Sequence, residues 1–112
     1  MSDVDAYVDA IPAVHRPLFD RLAGAIQRVR PDATVRLSYG MPTYEAGGRR
    51  LYVGAWRHGL SLYGWSSGED GGFTGRHPDL VSGKGTVRLR PADAASIGDP
   101  ELEGFVRAVL GG

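Results

Sequence analysis

From Leu51 onward the chain alternates. Leu51, Val53 and Ala55 are interleaved with Tyr52 and Trp56, and after Arg57-His58-Gly59 the residues Leu60, Leu62 and Gly64 are interleaved with Ser61, Tyr63 and Trp65. A period of two marks a strand with one face on a core, and a turn between two such runs makes a hairpin. The same period assigns sides, with the aliphatic residues on one face and Tyr52, Trp56, Tyr63 and Trp65 on the other. The fold must therefore contain a sheet with an aliphatic face and a ring-bearing face.

The pattern extends both ways. Thr34 to Ser38 reads as a strand with Val35 and Leu37 on one side, ended by Gly40 and Pro42, and a short strand around Thr43 to Ala46 meets the turn Gly47-Gly48. Val87 and Leu89 alternate with Thr86, Arg88 and Arg90 in a last strand that Pro91 stops. Helical spacing brackets the strands: Val4, Tyr7, Val8 and Ile11 after an N-cap at Ser2, then Leu18, Leu22, Ala25, Ile26 and Val29 before Pro31, and finally Leu102, Phe105, Val106, Val109 and Leu110 between Pro100 and Gly111-Gly112. The second helix has two possible starts, near His15 or at Pro12 with a kink at Pro17. Ser66 to Gly85, rich in Gly, Ser and Asp, reads as loop with a helical turn near Pro78, and Ala92 to Ile97 as another brief helical turn. The expectation is one α+β domain over residues 1–112, an antiparallel meander with the N- and C-terminal helices packed on its aliphatic face.

A chain of 112 residues, 42% hydrophobic and 23% charged, supports one modest core. Thirteen basic and thirteen acidic side chains cancel, which argues against a general phosphate-binding surface and so against nucleic acid. The absence of cysteine excludes disulfides, thiolate metal sites and cysteine nucleophiles. The start Met1-Ser2-Asp3-Val4-Asp5 has no basic or apolar leader pattern, and no apolar run approaches the ~20 residues that span a bilayer. The expected setting is the cytoplasm, without membrane contact.

Two phrases mark a candidate site: Ser38-Tyr39-Gly40-Met41-Pro42, and Ser82-Gly83-Lys84-Gly85-Thr86, which holds the sole lysine. Each sets glycine beside hydrogen-bonding side chains at an element boundary. The second is not a nucleotide-binding phosphate loop, because Pro78 stands where that motif needs its first glycine and a strand follows where it needs a helix. A Lys84 ammonium beside the Tyr39 hydroxyl and the Gly40 turn would instead suit a small anion or carboxylate, with Met41, Pro42, Gly85 and Thr86 shaping the cleft and Trp56 and Trp65 at its edge. The bland alternatives are a tight corner at Tyr39 to Pro42 and a lysine that satisfies carbonyls at a loop end.

The order of these motifs, from the aspartate-bearing first helix through the Ser38 to Pro42 phrase and the meander to Lys84-Gly85-Thr86, resembles the YdhG-like family of small bacterial domains. One member of that family is described as a frataxin-like intracellular iron chaperone. The resemblance covers nearly the whole chain and implies a non-enzymatic binding protein, with iron as cargo and an iron-accepting protein as partner. In such a protein, Asp5 and Asp9, four apart on one helix face, with Asp3 nearby, would offer hard oxygen ligands. Acids in a first helical turn also serve simply as capping and solvating groups.

His15, His58 and His77 lack metal-ligand spacing, and Glu69-Asp70 reads as a solvated pair in a loop. No nucleophile elbow or metalloprotease helix is present, so an enzyme is not the expected reading. Four large rings on one sheet face require a cover. The preferred one is the 66–85 loop with Phe73 packed among the rings, and the alternative is a partner or ligand. Two functions stand: an iron chaperone by resemblance, or a small-anion or protein-interaction module, in either case as a monomer or weak homodimer.

Overall fold

The computed structural model describes residues 3–65, 69–82 and 86–111. Five strands, β1 (Thr34–Ser38), β2 (Met41–Ala46), β3 (Arg49–Trp56), β4 (Gly59–Tyr63) and β5 (Thr86–Leu89), form one antiparallel sheet in the order β1-β2-β3-β4-β5. Helices α1 (Asp3–Asp9) and α2 (Arg16–Val29) precede it. The short α3 (Phe73–Arg76) and a 3-10 turn at Pro78–Leu80 lie between β4 and β5, and α4 (Pro91–Ala94) and α5 (Asp99–Leu110) follow.

The aliphatic side of the alternation is the core. Leu51, Val53, Leu60, Leu62, Val87 and Leu89 are fully buried together with Leu22 of α2 and Phe105 and Val106 of α5. Each such side chain contributes about 1.5–3 kcal/mol through burial. The two long helices also pack on each other, and ion pairs Arg21–Asp99 (2.9 Å) and Arg28–Glu103 (3.1 Å) bridge them at the solvent edge. The start of α2 is settled at Arg16. Pro17 then falls in the first turn, where its missing amide has no helical acceptor to lose, while Pro12 belongs to a turn whose carbonyl accepts the His15 amide.

Two differences from the sequence expectation follow from local backbone. Met41 and Pro42 belong to β2, because Tyr39 and Gly40 alone make the turn, with φ of +54° and +75°. Two consecutive positive φ values give the hairpin whose twist matches that of the strands. The second difference concerns Trp65. β4 ends at Tyr63 and Gly64 takes φ +120°, where a Cβ would lie 2.7 Å from the Tyr52 ring. Alternation stops there, and Trp65 turns to the helix side, its ring edge-on to Phe105 at 5.0 Å. Ser2, Ser66, Gly83, Lys84, Gly85 and Gly112 lie outside the described residues.

Candidate functional site

The sheet face opposite the helices carries the outward positions of each strand: Arg36, Met41, Thr43, Glu45, Arg50, Tyr52, Gly54, Trp56, Ser61, Tyr63, Thr86 and Arg88 follow from the register. A row of rings runs across it. Tyr39 packs on Tyr52 and Tyr52 on Tyr63, both at 5.9 Å between centroids, the second pair nearly parallel at 16°. Tyr39 is 85% exposed and is the one non-glycine residue with positive φ among those described. With Met41 and Gly64 these rings line a mostly apolar hollow of about 320 Å³.

Polar groups hold the row in place. Tyr63 donates to the Met41 sulfur at 2.9 Å, and burial, with a smaller contribution from Tyr7, pushes the Tyr63 phenol up, so that it keeps this proton. Gly54 lies beneath the pair, its absent Cβ 3.3 Å from the Tyr63 hydroxyl. Arg50 is held in its charged form by a hydrogen bond with Tyr52 and by the nearby Glu45 carboxylate.

At the far end of β3, Trp56 sits edge-on to His58 at 5.0 Å, with the guanidiniums of Arg88 and Arg90 at 4.9 and 5.9 Å from its ring centre. Its indole nitrogen is buried without an acceptor among the described residues. Sequence reasoning selected Trp56 but missed Arg88 and Arg90. The alternation of β5 was the available signal, since Val87 and Leu89 facing the core send their neighbours to the ring side.

Of the other residues singled out in the sequence, Thr86 pairs with Tyr63 and so lies in the same row as the rings. Tyr39, Gly40 and Met41 come together with that row, Pro42 pairs with Leu37 of β1 and points to the helix side, and Trp65 is part of the core layer. Phe73 does not cover the rings as expected. Phe73 is fully buried against Phe105 at 5.0 Å on the helix side, because an apolar aromatic in a glycine-rich loop finds its largest apolar contact in the main core. Asp70 is not solvated either. Only 4% exposed, it accepts the Gly72 and Thr74 amides at 3.0 Å each and the Thr74 hydroxyl at 2.5 Å. Burial opposes its charge, yet these hydrogen bonds prevail and hold its carboxyl below the usual aspartate range.

Asp3, Asp5 and Asp9 do not gather into a ligand set. Asp9 lies 3.9 Å from Arg16, and among the described residues no three His, Asp or Glu side chains come close enough to share a metal. His15 is buried with Nε2 on the Arg57 carbonyl at 2.8 Å, and His77 contacts Glu101, which Arg76 also holds. Burial opposes ionisation of Glu101, but the His77 hydrogen bond and charge, followed by Arg76, keep its carboxyl low. These contacts tie loops to helices. Among the described residues no helix is long and apolar enough to cross a membrane. Comparison with protein-family models, curated proteins and solved structures finds no match.

Proposed function

We propose that this protein is a non-enzymatic binding module that works through the helix-free face of its sheet, with the Tyr39–Tyr52–Tyr63 row as the apolar part of its binding surface. The observation that carries this reading is the ring of Tyr39, exposed yet fixed on Tyr52 by a left-handed backbone that costs a non-glycine residue about 1–2 kcal/mol. Strain of that size, together with a contiguous apolar hollow under no described element, fits a surface kept ready for an occupant. Finer kinship with YdhG-like, frataxin-like domains belongs to the same proposal, supported by the order of motifs and by helices layered on one side only. The iron role implied by that resemblance has no support from α1, whose aspartates belong to no three-ligand group among the described residues.

The test is a titration with anilinonaphthalene sulfonate, a dye that is both apolar and anionic. The proposal expects saturable binding to the native chain at one site, lost in a Tyr39→Ala, Tyr63→Ala variant that retains its circular dichroism. Dye binding that is absent, or identical in the variant, would retire the open face as a binding surface.

A further inference from the structure

The chain is neutral, but its open face is not. Arg36, Arg50 and Arg88 point outward from the strands and Arg90 follows β5, against one carboxylate, Glu45. Glu45 is already engaged by Arg36 at 2.8 Å and by Arg50 at 3.7 Å. Arg88 and Arg90 form no ion pair with a described residue. Asp79 and Asp93 line the same hollow as these two arginines without forming an ion pair with them, and the Asp93 carboxylate accepts the Arg90 backbone amide at 2.9 Å. On the helix side Arg16, Arg21, Arg28, Arg30 and Arg76 are each bonded to a carboxylate, whereas Arg49 donates to the Ala108 carbonyl and, like Arg107, forms no ion pair with a described residue. Two cations held over one indole without an ion pair to a described residue, on the same sheet face as an apolar hollow, are complementary to an anion joined to an apolar group.

Geometry narrows the occupant. Tyr52 in the ring row and Trp56 at the cationic corner are four positions apart on β3, about 13 Å at the rise of an extended strand. Gly54 lies between them on the same face and adds no side chain to block the path. One occupant touching both ends is therefore longer than a simple small acid. A base-stacking platform is disfavoured, because Tyr52 and Tyr63 spend facing ring surfaces on each other.

We infer that the open face docks an acidic segment of a partner protein in extended form, seating an apolar side chain among Tyr39, Met41 and Tyr63 and a carboxylate on Arg88 and Arg90. This inference rests on the reading of the open face as a binding surface. Affinity comes from the apolar anchor, and selection for an acidic partner from the two arginines, whose attraction weakens as salt screens it.

The test uses fluorescent ten-residue peptides carrying a glutamate pair and one leucine at separations of one to eight residues, read by anisotropy against the whole chain. Binding should peak near a separation of four, fall at least about tenfold when glutamine replaces glutamate, and fall similarly in an Arg88→Ala, Arg90→Ala variant. The glutamine peptides leave the protein untouched, so the test survives if that variant fails to fold. Equal binding of glutamine peptides, no dependence on separation, or tighter binding of a ten-nucleotide oligothymidylate would overturn the inference. So would self-association of the chain that the double variant abolishes, which would make a second copy the occupant. Dye binding without peptide binding would defeat this inference alone, whereas failure of both would remove the underlying reading as well.

Discussion

Tyr63 and Met41 meet over the backbone of Gly54, the phenol donating to the thioether sulfur at 2.9 Å. This contact joins the start of β2 to the end of β4 across a strand that has no side chain at that point. It sets the depth of the hollow beside Tyr39. A thioether is a weak acceptor, so Tyr63→Phe should cost less than about 1 kcal/mol in chemical denaturation. Gly54→Val should do more, since its Cβ enters within 3.3 Å of the phenol and its methyls fill the groove floor. We expect dye affinity to survive the first substitution and fall severalfold in the second. The opposite ranking would mean that the groove is not formed as described.

Phe105 joins two aromatic rings on the helix side, Phe73 and Trp65, each at 5.0 Å. Phe105→Ala should cost about 3–5 kcal/mol, because it opens a cavity and removes the packing partner of Phe73 and Trp65 at the same time. Trp65 emission should shift to longer wavelength in a Trp56→Phe background. A shift of neither stability nor emission would contradict the placement of Trp65 in the core layer.

How far the sequence foretold this arrangement depends on where period two holds. Leu51, Val53, Leu60 and Leu62 announced the core face, and Tyr52, Trp56 and Tyr63 the open one, because each lies inside a regular strand. Trp65 escaped the rule through a single dihedral, the positive φ of Gly64, which no periodicity reports. Phe73 was assigned to the wrong face because a glycine-rich segment has no repeat to orient it, and tertiary contact with Phe105 decided its position. The Tyr39–Met41 part of the candidate site was legible as a turn beside a ring face. Arg88 within β5 and Arg90 just after it continue the same alternation, yet a lone arginine on a solvent-facing strand position carries no local mark of a site, whereas Lys84 stands between two glycines.

Asp70 should make stability acid-sensitive. Its folded-state carboxyl titrates below the ordinary value, so the folded chain binds fewer protons than the unfolded chain. Its contribution is then fully present above the unfolded value of about 3.9 and is lost as pH falls through the lower folded value. In urea titrations Asp70→Asn should lie below the wild type by about 1–2 kcal/mol at neutral pH, with the gap narrowing in acid below that window. A gap that stays constant down to the acid limit would mean that Asp70 does not act as an ionised cap.

The aspartates of α1 provide a separate check. Anaerobic calorimetric titration with ferrous ion should give the same heats for the wild type and for an Asp5→Ala, Asp9→Ala variant, because the described residues offer no three-ligand group there. A saturable wild-type isotherm that disappears in the variant would restore iron as cargo.

The most direct measurement for the account as a whole is amide chemical-shift mapping of the 15N-labelled chain during titration with the leucine–glutamate peptide of optimal spacing. The account predicts saturating shifts at Tyr39, Met41, Tyr52, Gly54, Tyr63 and Arg88, with Leu22, Ala25, Leu102 and Val106 of the helix layer left in place. Shifts concentrated on α2 and α5 with the open face unmoved would contradict it.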